Sequence, residues 1–410
     1  MDLKEQIYSS NPHWEGEAYT YPFTRPHLEK IIKARKSKLI CTLIGPRRVG
    51  KTVLMRQCMQ RLIEAGTDKR RILYFSFEDK AVEPFAAIKK WGEELSLDLR
   101  KGEYHAYFDE IQNVRGWAPK IKILYDNYPN FSFTLSGSAS AKIRRGKESL
   151  AGRELEIHVN PLSFAEYLKM AGKSPVSPAS RWEHYLAYMK RQLPDLALKD
   201  IDPKEYVSLL VQKVIRIDVP ELFDIEQPDV LDGIFRSICK SPGQIIKAES
   251  LAADFGINRI TASKYLYALE EALLVRRVYN YSKNPIKSEK RDKKYYPYFS
   301  TLHAYTQPYA PDLAAMAETE TAWQSGAEYF FRDRNNEIDF IAGTNLDIGI
   351  EVKMRNRVDA SDVAFLENAP MKLAKKYVVV MAESKLSLPP SVKAVRLDDV
   401  GETFKKEVEP

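Results

Sequence analysis

Residues 45–52 read Gly45-Pro46-Arg47-Arg48-Val49-Gly50-Lys51-Thr52, and this stretch decides the fold of the N-terminal part of the chain. It fits the pattern G-x-x-x-x-G-K-[ST], with an apolar, β-rich run before it and a helical pattern after it. In that context the loop's backbone N–H groups wrap the β-phosphate of a nucleotide, Lys51 reaches the β- and γ-phosphates, and the Thr52 hydroxyl ligates Mg²⁺. We therefore predict a site for ATP and Mg²⁺ and assign all eight residues to it.

Five short apolar runs between residues 38 and 160 alternate with helical patterns, which is typical of a parallel α/β sheet. The third run ends in Asp109-Glu110. We expect Asp109 to hold the Mg²⁺ and Glu110 to polarise the attacking water during hydrolysis. The predicted strands are Lys38–Ile44, Arg71–Phe77, Tyr104–Phe108, Phe131–Leu135 and Leu155–Val159.

The composition excludes several classes of protein. The chain has 410 residues, of which 44% are hydrophobic and 29% charged, so it is long enough for roughly two to four folded domains. Its three cysteines have no metal-ligand or disulfide spacing, and its longest apolar runs, such as Tyr377–Ala382, are too short to span a bilayer. The stretch Met1-Asp2-Leu3-Lys4-Glu5 lacks the features of a secretory signal. We expect a soluble cytoplasmic protein with no membrane partner.

These motifs, in this order, resemble the AAA+ ATPases, and specifically a prokaryotic family that joins an AAA+ module to a C-terminal domain without an assigned function. The resemblance covers most of the first 170 residues and departs from the family at Lys190-Arg191-Gln192-Leu193-Pro194, where a double-glycine-proline turn is usual. The matching stretches are Asn11-Pro12-His13-Trp14, residues 45–52, Asp109-Glu110-Ile111-Gln112, Leu135-Ser136-Gly137-Ser138, Ala151-Gly152-Arg153 and Pro161-Leu162-Ser163-Phe164-Ala165-Glu166-Tyr167.

Two further roles are implied by this resemblance. Ser136 would sense the γ-phosphate, and Arg153 would be an arginine finger that reaches the nucleotide of a neighbouring subunit. ATP hydrolysis would then require a homo-oligomer. The alternative is that Arg153 is an ordinary surface arginine.

The middle of the chain has the pattern of a winged helix. Three helices are predicted at Leu231–Lys240, Ala248–Phe255 and Asn258–Leu274, with Gly256 ending the second and Asn258 capping the third. A basic hairpin follows, in which Arg276 to Lys294 holds eight Lys or Arg residues against two acidic ones, within a chain that has a net charge of +7. One face of the third helix is apolar, through Ala262, Leu266, Leu269 and Leu273. We expect DNA to be contacted by the opposite face and the hairpin, through Thr261, Ser263, Lys264, Tyr267, Lys283 and Lys287.

The C-terminal part carries an acidic pair and a lysine on two neighbouring predicted strands. Glu351 and Lys353 share one face of a strand, and Asp339 lies twelve residues upstream on the strand before it. This arrangement resembles the PD-(D/E)xK nuclease fold, in which Asp339 and Glu351 would hold Mg²⁺ and Lys353 would activate water. Either Glu318 or Glu320 would add a further ligand. The alternative is a binding platform that keeps this fold without cutting.

The sequence thus predicts an α/β protein with a parallel AAA+ sheet in residues 1–170 and a linker with a helical lid in 171–225. A winged helix in 226–300 and a small nuclease-like α/β domain in 301–410 would follow. We expect a Mg²⁺-dependent ATPase that engages DNA and carries a nuclease-like site. The alternative is an ATP-driven switch or scaffold that binds protein partners. A kinase or metabolic P-loop enzyme fits less well, because it leaves the last part of the chain without a purpose.

Overall fold

The computed structural model describes residues 2–78, 82–137, 150–306, 312–334 and 336–408. Ser138 of the predicted phosphate-sensing stretch lies outside the described residues. The chain divides into two compact units, Met1–Pro161 and Leu162–Pro410, where the sequence had suggested four segments.

The first unit is built on a five-stranded sheet in which all neighbouring strands are parallel. The strand order is β2-β3-β4-β1-β5, so the strand that leads into residues 45–52 lies inside the sheet. The strands are β1 (Ile40–Ile44), β2 (Ile72–Ser76), β3 (Tyr104–Asp109), β4 (Phe131–Gly137) and β5 (Glu154–His158). Each matches its predicted run to within two residues at either end. Near-continuous apolar strands of this kind are expected where helices cover a parallel sheet.

Helices of the first unit pack around an aromatic core. Trp91 of one helix packs edge-on against Tyr104 and Phe131 of two strands. The edge strand β2 is covered at Tyr74, whose backbone N–H and C=O are both bonded by the Asn11 side chain. An edge blocked in this way is a poor template for pairing with another chain. The helices are α1 (Leu3–Ser10), α2 (His27–Lys36), α3 (Lys51–Glu64), α4 (Pro84–Glu94) and α5 (Trp117–Asn127).

The second unit begins with a series of helices. They are α6 (Phe164–Met170), α7 (Pro178–Met189), α8 (Pro194–Leu198), α9 (Pro203–Lys213), α10 (Val219–Phe223), α11 (Pro228–Lys240), α12 (Ala248–Phe255) and α13 (Arg259–Glu271). Later in the chain come α14 (Pro285–Lys290), α15 (Leu313–Gln324), α16 (Ala364–Glu367) and α17 (Val400–Val408). In the described ranges, no helix is both long and apolar enough to cross a bilayer.

The three helices predicted in the middle of the chain are present as α11, α12 and α13. Asn258 caps α13 by accepting a hydrogen bond from the Thr261 N–H, and Gly256 ends α12 in the left-handed region, as predicted. The predicted end of the third helix was wrong, because α13 stops at Glu271. Leu273 therefore lies in the following turn, with a φ of 56°, and is not part of the apolar helix face.

A seven-stranded mixed sheet organises the second unit. The order is β14-β12-β10-β9-β8-β6-β7. The strands are β6 (Val275–Asn280), β7 (Lys293–Pro297), β8 (Tyr329–Arg332), β9 (Glu337–Ala342), β10 (Ile348–Lys353), β12 (Lys375–Val380) and β14 (Lys393–Arg396), while β11 (Arg357–Asp359) and β13 (Lys385–Ser387) pair separately. The basic hairpin is thus formed by β6 and β7, with α14 between them, and β6 pairs in parallel with β8. The hairpin and the C-terminal strands therefore belong to one sheet.

Candidate functional site

The loop at residues 45–50 joins β1 to α3 and folds closely against the chain beyond β5. A Cβ at Gly45 would lie 2.1 Å from the Val159 carbonyl oxygen, so a side chain there would force the loop away. Lys51 is 5% exposed and donates to the carbonyl oxygens of Gly45 and Pro46, at 2.8 and 2.9 Å. Burial lowers the pKa of this ammonium, while Glu110 and Asp109 act in the opposite direction. The lysine is therefore a desolvated cation held over the loop.

Asp109 is the centre of a cluster of hydroxyl groups at the carboxyl edge of the sheet. It is 2% exposed and ends β3. Its Oδ2 accepts hydrogen bonds from Thr52 Oγ1 at 2.5 Å and from Tyr74 Oη at 2.8 Å, and its Oδ1 accepts one from Ser136 Oγ. Two strands and the first turn of α3 therefore bring Thr52, Asp109 and Ser136 together, and Tyr74 joins them from a third strand. Hydroxyl and carboxylate oxygens are the hard donors that Mg²⁺ prefers, so this set fits the ion.

Glu110 follows β3 in a left-handed conformation, with a φ of 52°. Its backbone N–H donates to Asp109 Oδ1 at 3.1 Å, and Gln112 Nε2 donates to its carboxylate. Left-handed backbone at a residue other than glycine is uncommon and costs free energy, so it persists where the surroundings impose it. At Glu110 this left-handed conformation ends the extended backbone of β3 directly after Asp109.

Arg153 lies apart from this cluster. It immediately precedes β5, and its carbonyl oxygen accepts a bond from the N–H of Ile40, the first residue of β1. Arg153 is therefore at the amino edge of the sheet, whereas Lys51, Thr52, Asp109, Glu110 and Ser136 are at the carboxyl edge. Its guanidinium is partly exposed and pairs with Asp126 at 3.2 Å.

Two residues that contact the candidate nucleotide site, Arg25 and Tyr74, were not predicted from the sequence. Arg25, 4% exposed, donates to the carbonyl oxygens of Val49 and Asn160, at 2.9 and 3.0 Å, and so ties the phosphate-binding loop to the segment after β5. Tyr74 bonds Asp109 from the neighbouring strand. The Tyr74 pKa is raised by burial and by Asp109, which keeps the phenol protonated as a donor. Neither residue has a sequence signal, because both contacts depend on tertiary packing.

The acidic pair of the C-terminal strands also comes together in the structure. In the β9–β10 ladder Phe340 pairs with Ile350, which brings Asp339 and Glu351 to neighbouring positions. Asp339 Oδ2 accepts from the Val352 N–H at 2.9 Å, and Lys353 Nζ donates to Glu351 Oε2 at 2.7 Å. Burial first, and then Asp339, raise the pKa of Glu351 to about 8. Lys353 opposes that shift.

Glu318 and Glu320 lie two residues apart on α15, and the structure separates the two candidates for the further ligand. Burial and then the charge of Asp339 raise the pKa of Glu318 to about 7, so Glu318 borders the acidic pair. Tyr296 Oη, on β7, donates to Glu318 Oε2 at 3.3 Å. We name Glu318, Asp339, Glu351 and Lys353 the acidic centre.

Glu320 belongs to a different set of contacts. It is fully buried, and Gln192 Nε2 donates to both of its oxygens at 3.0 and 2.9 Å. Ser300 Oγ, Tyr188 Oη and Gln324 Nε2 also donate to it. With five hydrogen bonds from neutral donors, this carboxyl group is a structural part of the core. One of its main partners, Gln192, lies in the segment 190–194, where the sequence departs from the pattern of the AAA+ family.

The acidic centre is an incomplete cage for a metal ion. Within the part of the chain that the structure describes, no group of three or more His, Cys, Asp or Glu residues is arranged closely enough to hold one. Mg²⁺ commonly uses only one or two protein carboxylates and completes its shell with substrate oxygens and water. Asp339 and Glu351 supply such a pair.

The helix face predicted to contact DNA is open to solvent. Ser263, Lys264 and Tyr267 are exposed and Thr261 is half-buried, while Ala262, Leu266 and Leu269 are buried on the opposite face of α13. Lys264 Nζ donates to the Asp224 carbonyl oxygen at 2.7 Å, and Tyr267 packs edge-on against Phe223.

The basic hairpin offers fewer external charges than its composition suggests. Lys294 is buried and pairs with Glu337, and Arg277 pairs with Glu270 at 3.2 Å. Lys283 and Lys287, by contrast, are exposed in and beside α14. The cations that remain available to a polyanion are therefore concentrated at the tip of the hairpin.

The sequence models of two known families match two separate parts of the chain. Residues 37–168 match the sequence model of a family described as an AAA domain, and residues 192–302 match a domain of unknown function. The second match runs across α11, α12, α13 and the β6–β7 hairpin.

Related sequences occur in bacteria and archaea. An uncharacterized protein of Haemophilus influenzae is 26% identical over 263 residues, which cover 60% of this chain and 64% of that protein. An uncharacterized protein of Methanocaldococcus jannaschii is 25% identical over 320 residues, covering 71% of this chain and 67% of the relative. The matched segment therefore spans less than two thirds of the Haemophilus influenzae relative's length.

Similar solved structures include the Saccharomyces cerevisiae Hsp104–ADP complex, at 17% identity and a TM-score of 0.34 over 66% of this chain and 41% of that one. The replication initiator DnaA bound to AMPPCP and single-stranded DNA is 13% identical, with a TM-score of 0.33 over 64% of this chain and 93% of that one. Residues 37–168, most of which belong to the first unit, are therefore similar in sequence to an AAA domain.

Proposed function

We propose that this protein is a Mg²⁺-dependent ATPase of the AAA+ type whose second unit engages DNA. The observation that carries the ATPase proposal is the convergence of Lys51, Thr52, Asp109 and Ser136 at one edge of a parallel sheet. Parallel α/β sheets bind ligands at the carboxyl ends of their strands, where these four residues lie.

The arrangement accounts for how the chain would treat a nucleotide. Lys51 would exchange its bonds to Gly45 and Pro46 for phosphate oxygens. Thr52 and Asp109 would hold Mg²⁺, which when bound neutralises charge on the β- and γ-phosphates. Ser136 would contact the γ-phosphate, and Glu110 would orient the water that attacks it.

Phosphate release from ATP tests this proposal. We expect turnover by the wild type, a loss of about 100-fold or more in Glu110→Gln, and loss of nucleotide binding in Lys51→Ala. Lys30→Ala, which removes an exposed lysine of α2, is the matched control and should leave turnover unchanged. Equal activity in wild type and Lys51→Ala would contradict the assignment.

The DNA proposal is supported by the exposed face of α13 and by Lys283 and Lys287 at the hairpin tip. Lysine–phosphate contacts release counterions, so binding should weaken steeply as salt is raised. We expect the double variant Lys283→Ala/Lys287→Ala to bind duplex DNA less tightly and with a shallower salt dependence. Lys385→Ala/Lys393→Ala, two exposed lysines of other strands, should bind as the wild type does.

A metal-dependent nuclease is the second candidate function, and the acidic centre favours it. Burial first, and then the negative charge of Asp339, raises the pKa values of Glu318 and Glu351, so two buried carboxyl groups are crowded around Asp339. A divalent cation would relieve that crowding, and Lys353 would stabilise charge on a phosphate under attack. We expect Mg²⁺-dependent strand scission that Asp339→Asn abolishes while ATP turnover persists.

The competing function is an ATP-driven switch or scaffold that holds protein partners. It would be favoured if labelled single- and double-stranded DNA stayed intact and bound weakly at low salt while ATP was hydrolysed. Scission that depends on Lys51 as well as Asp339 would instead indicate that cutting is coupled to ATP.

A further inference from the structure

A cavity of about 500 Å³ lies in the first unit at the amino edge of its sheet, opposite the nucleotide-binding edge. It is lined by residues along α2, by the second half of α3 and by residues at the starts of β3 and β4, among them His105 and Ser132. Small-molecule sites usually have volumes of about 300–1,000 Å³. The cavity is therefore large enough for a small organic ligand.

Arg35, in the last turn of α2, lines this cavity without an acidic partner. Its guanidinium donates to Tyr107 Oη at 2.8 Å, to Cys58 Sγ at 3.8 Å and to His105 Nδ1. Among the described residues, its hydrogen-bond partners include no carboxylate, and its buried Nε–H has no hydrogen-bond acceptor. A guanidinium has five N–H donors in a fork that matches carboxylate and phosphate oxygens.

The neighbours of Arg35 are neutral, so they do not balance its charge. Burial, and then Arg35 itself, lower the pKa of His105 to about 3, which leaves its ring uncharged and able to accept from the guanidinium at Nδ1. Burial holds the pKa of Tyr107 well above its usual value, so this phenol stays protonated. A partly buried cation whose hydrogen-bond partners are all neutral is stabilised when an anion joins it.

The other residues that line the cavity carry a small net positive charge and also provide an apolar wall. Lys36, Lys38 and Arg61 add three cations, against the two carboxylates of Glu29 and Glu103. The partial negative charge at the ends of α2 and α3 is offset by these cations. Ile32, Leu62 and Ala65 supply apolar surface beside the charged groups.

We propose that this cavity binds a small organic anion, a carboxylate or phosphate on an apolar body, with Arg35 as the group that recognises the anionic head. The site is separate from the nucleotide site, because the two lie at opposite edges of the sheet. Ligand binding here would therefore not compete directly with ATP.

Fluorine NMR titration of the full chain tests the proposal, with Mg²⁺ and ADP present so that the nucleotide loop is filled. The probes are 4-fluorobenzoate and 4-fluorophenyl phosphate, which distinguish a carboxylate from a phosphate head, and 4-fluorobenzylamine, which has the same body and the opposite charge. We expect at least one anion to bind with a millimolar or lower Kd and the amine to show no binding.

Three variants identify the site. Arg35→Met should weaken the anion about tenfold or more, as expected for loss of a charge-assisted bond. Ala65→Trp places an indole in the cavity and should have a similar effect while leaving Arg35 in place. Lys33→Met removes an exposed cation from the same helix outside the cavity and should bind as the wild type does.

Affinity for a fluorescent ADP analogue reports whether each variant still folds. The proposal is overturned if neither anion binds the wild type, if the amine binds equally well, or if Ala65→Trp retains full affinity for the anion while its ADP affinity is normal.

Discussion

Glu318 and Glu320 show how two identical side chains on one helix acquire different surroundings. Glu320 accepts bonds from Gln192, Ser300, Gln324 and Tyr188, whereas Glu318 has one long bond from Tyr296. Glu320→Ala would leave several buried donors unsatisfied, at a cost of about 2–4 kcal/mol in the free energy of unfolding. Glu318→Ala should cost much less, because it also removes repulsion with Asp339. Urea denaturation of both variants checks this, and equal destabilisation would contradict it.

The acidic centre should also give the protein a characteristic pH dependence. The folded pKa values of Glu318 and Glu351, about 7 and about 8, lie above the ordinary value of 4.5. The folded state therefore holds more protons than the unfolded state between about pH 4.5 and 8, and stability falls as the pH rises through that window.

Replacing one of these two glutamates should make the decrease in unfolding free energy with pH less steep. In metal-free buffer, Glu351→Gln should reduce the slope of unfolding free energy against pH by up to about 1.4 kcal/mol per unit. Glu383→Gln, at an exposed position, is the control. If the wild type instead gains stability from pH 5 to 8, with Glu351→Gln unchanged, the carboxyl groups are not crowded as described.

At the scale of elements, the parts that the sequence predicts well are those set by local patterns. The five strands of the first unit, the loop at residues 45–52 and the caps of α12 and α13 follow from apolar runs, glycines and Asn258. The place of the β6–β7 hairpin was not predictable in this way. It depends on the pairing of Tyr279 with Tyr329, fifty residues away, which no local pattern encodes.

The same limit applies to the sites. Asp109 was predicted from its place at the end of a strand, whereas Asp339 and Glu351 were predicted from the alternation of side chains along two neighbouring strands. The choice of Glu318 over Glu320 required the direction in which α15 faces the sheet. Tyr74 and Arg25 were missed because their contacts come from segments distant in sequence. The sequence also could not show that Lys294 and Arg277 of the hairpin form ion pairs within the protein, which leaves fewer of its cations available to a polyanion.

A prediction at this scale concerns the turn between α11 and α12. Gly243 has a φ of 76°, and a Cβ there would lie 2.8 Å from both Glu318 Oε2 and Tyr296 Oη. Gly243→Ala should therefore combine backbone strain with a clash, at about 2–4 kcal/mol of unfolding free energy. Gly256→Ala has a similar φ of 64° with open space around the Cβ, and should cost only about 1 kcal/mol. Equal costs in urea denaturation would show that the turn does not press on the acidic centre.

At the scale of the whole molecule, the position of Arg153 constrains how ATP hydrolysis can work. The residue lies at the amino edge of the sheet, while the groups proposed to bind ATP lie at the carboxyl edge of the same sheet. An arginine in this place cannot reach the nucleotide of its own unit. If Arg153 stabilises the transferred phosphoryl group, it does so in a second copy of the chain, and activity becomes a property of the assembly.

Mixing two inactive variants tests this. Arg153→Ala keeps a complete nucleotide site but provides no finger, whereas Lys51→Ala provides the finger but no working site. Each alone should hydrolyse ATP at least about 100-fold more slowly than the wild type. Their mixture should recover part of the activity, because some Arg153→Ala sites will face an intact Arg153 of a neighbour. Asp126→Asn, which removes the ion-pair partner of Arg153 and leaves the arginine itself, should remain active alone. If the mixture gains nothing over its separate components while both variants fold and wild-type turnover per chain is independent of protein concentration, Arg153 is an ordinary surface residue and the ATPase works as a single chain.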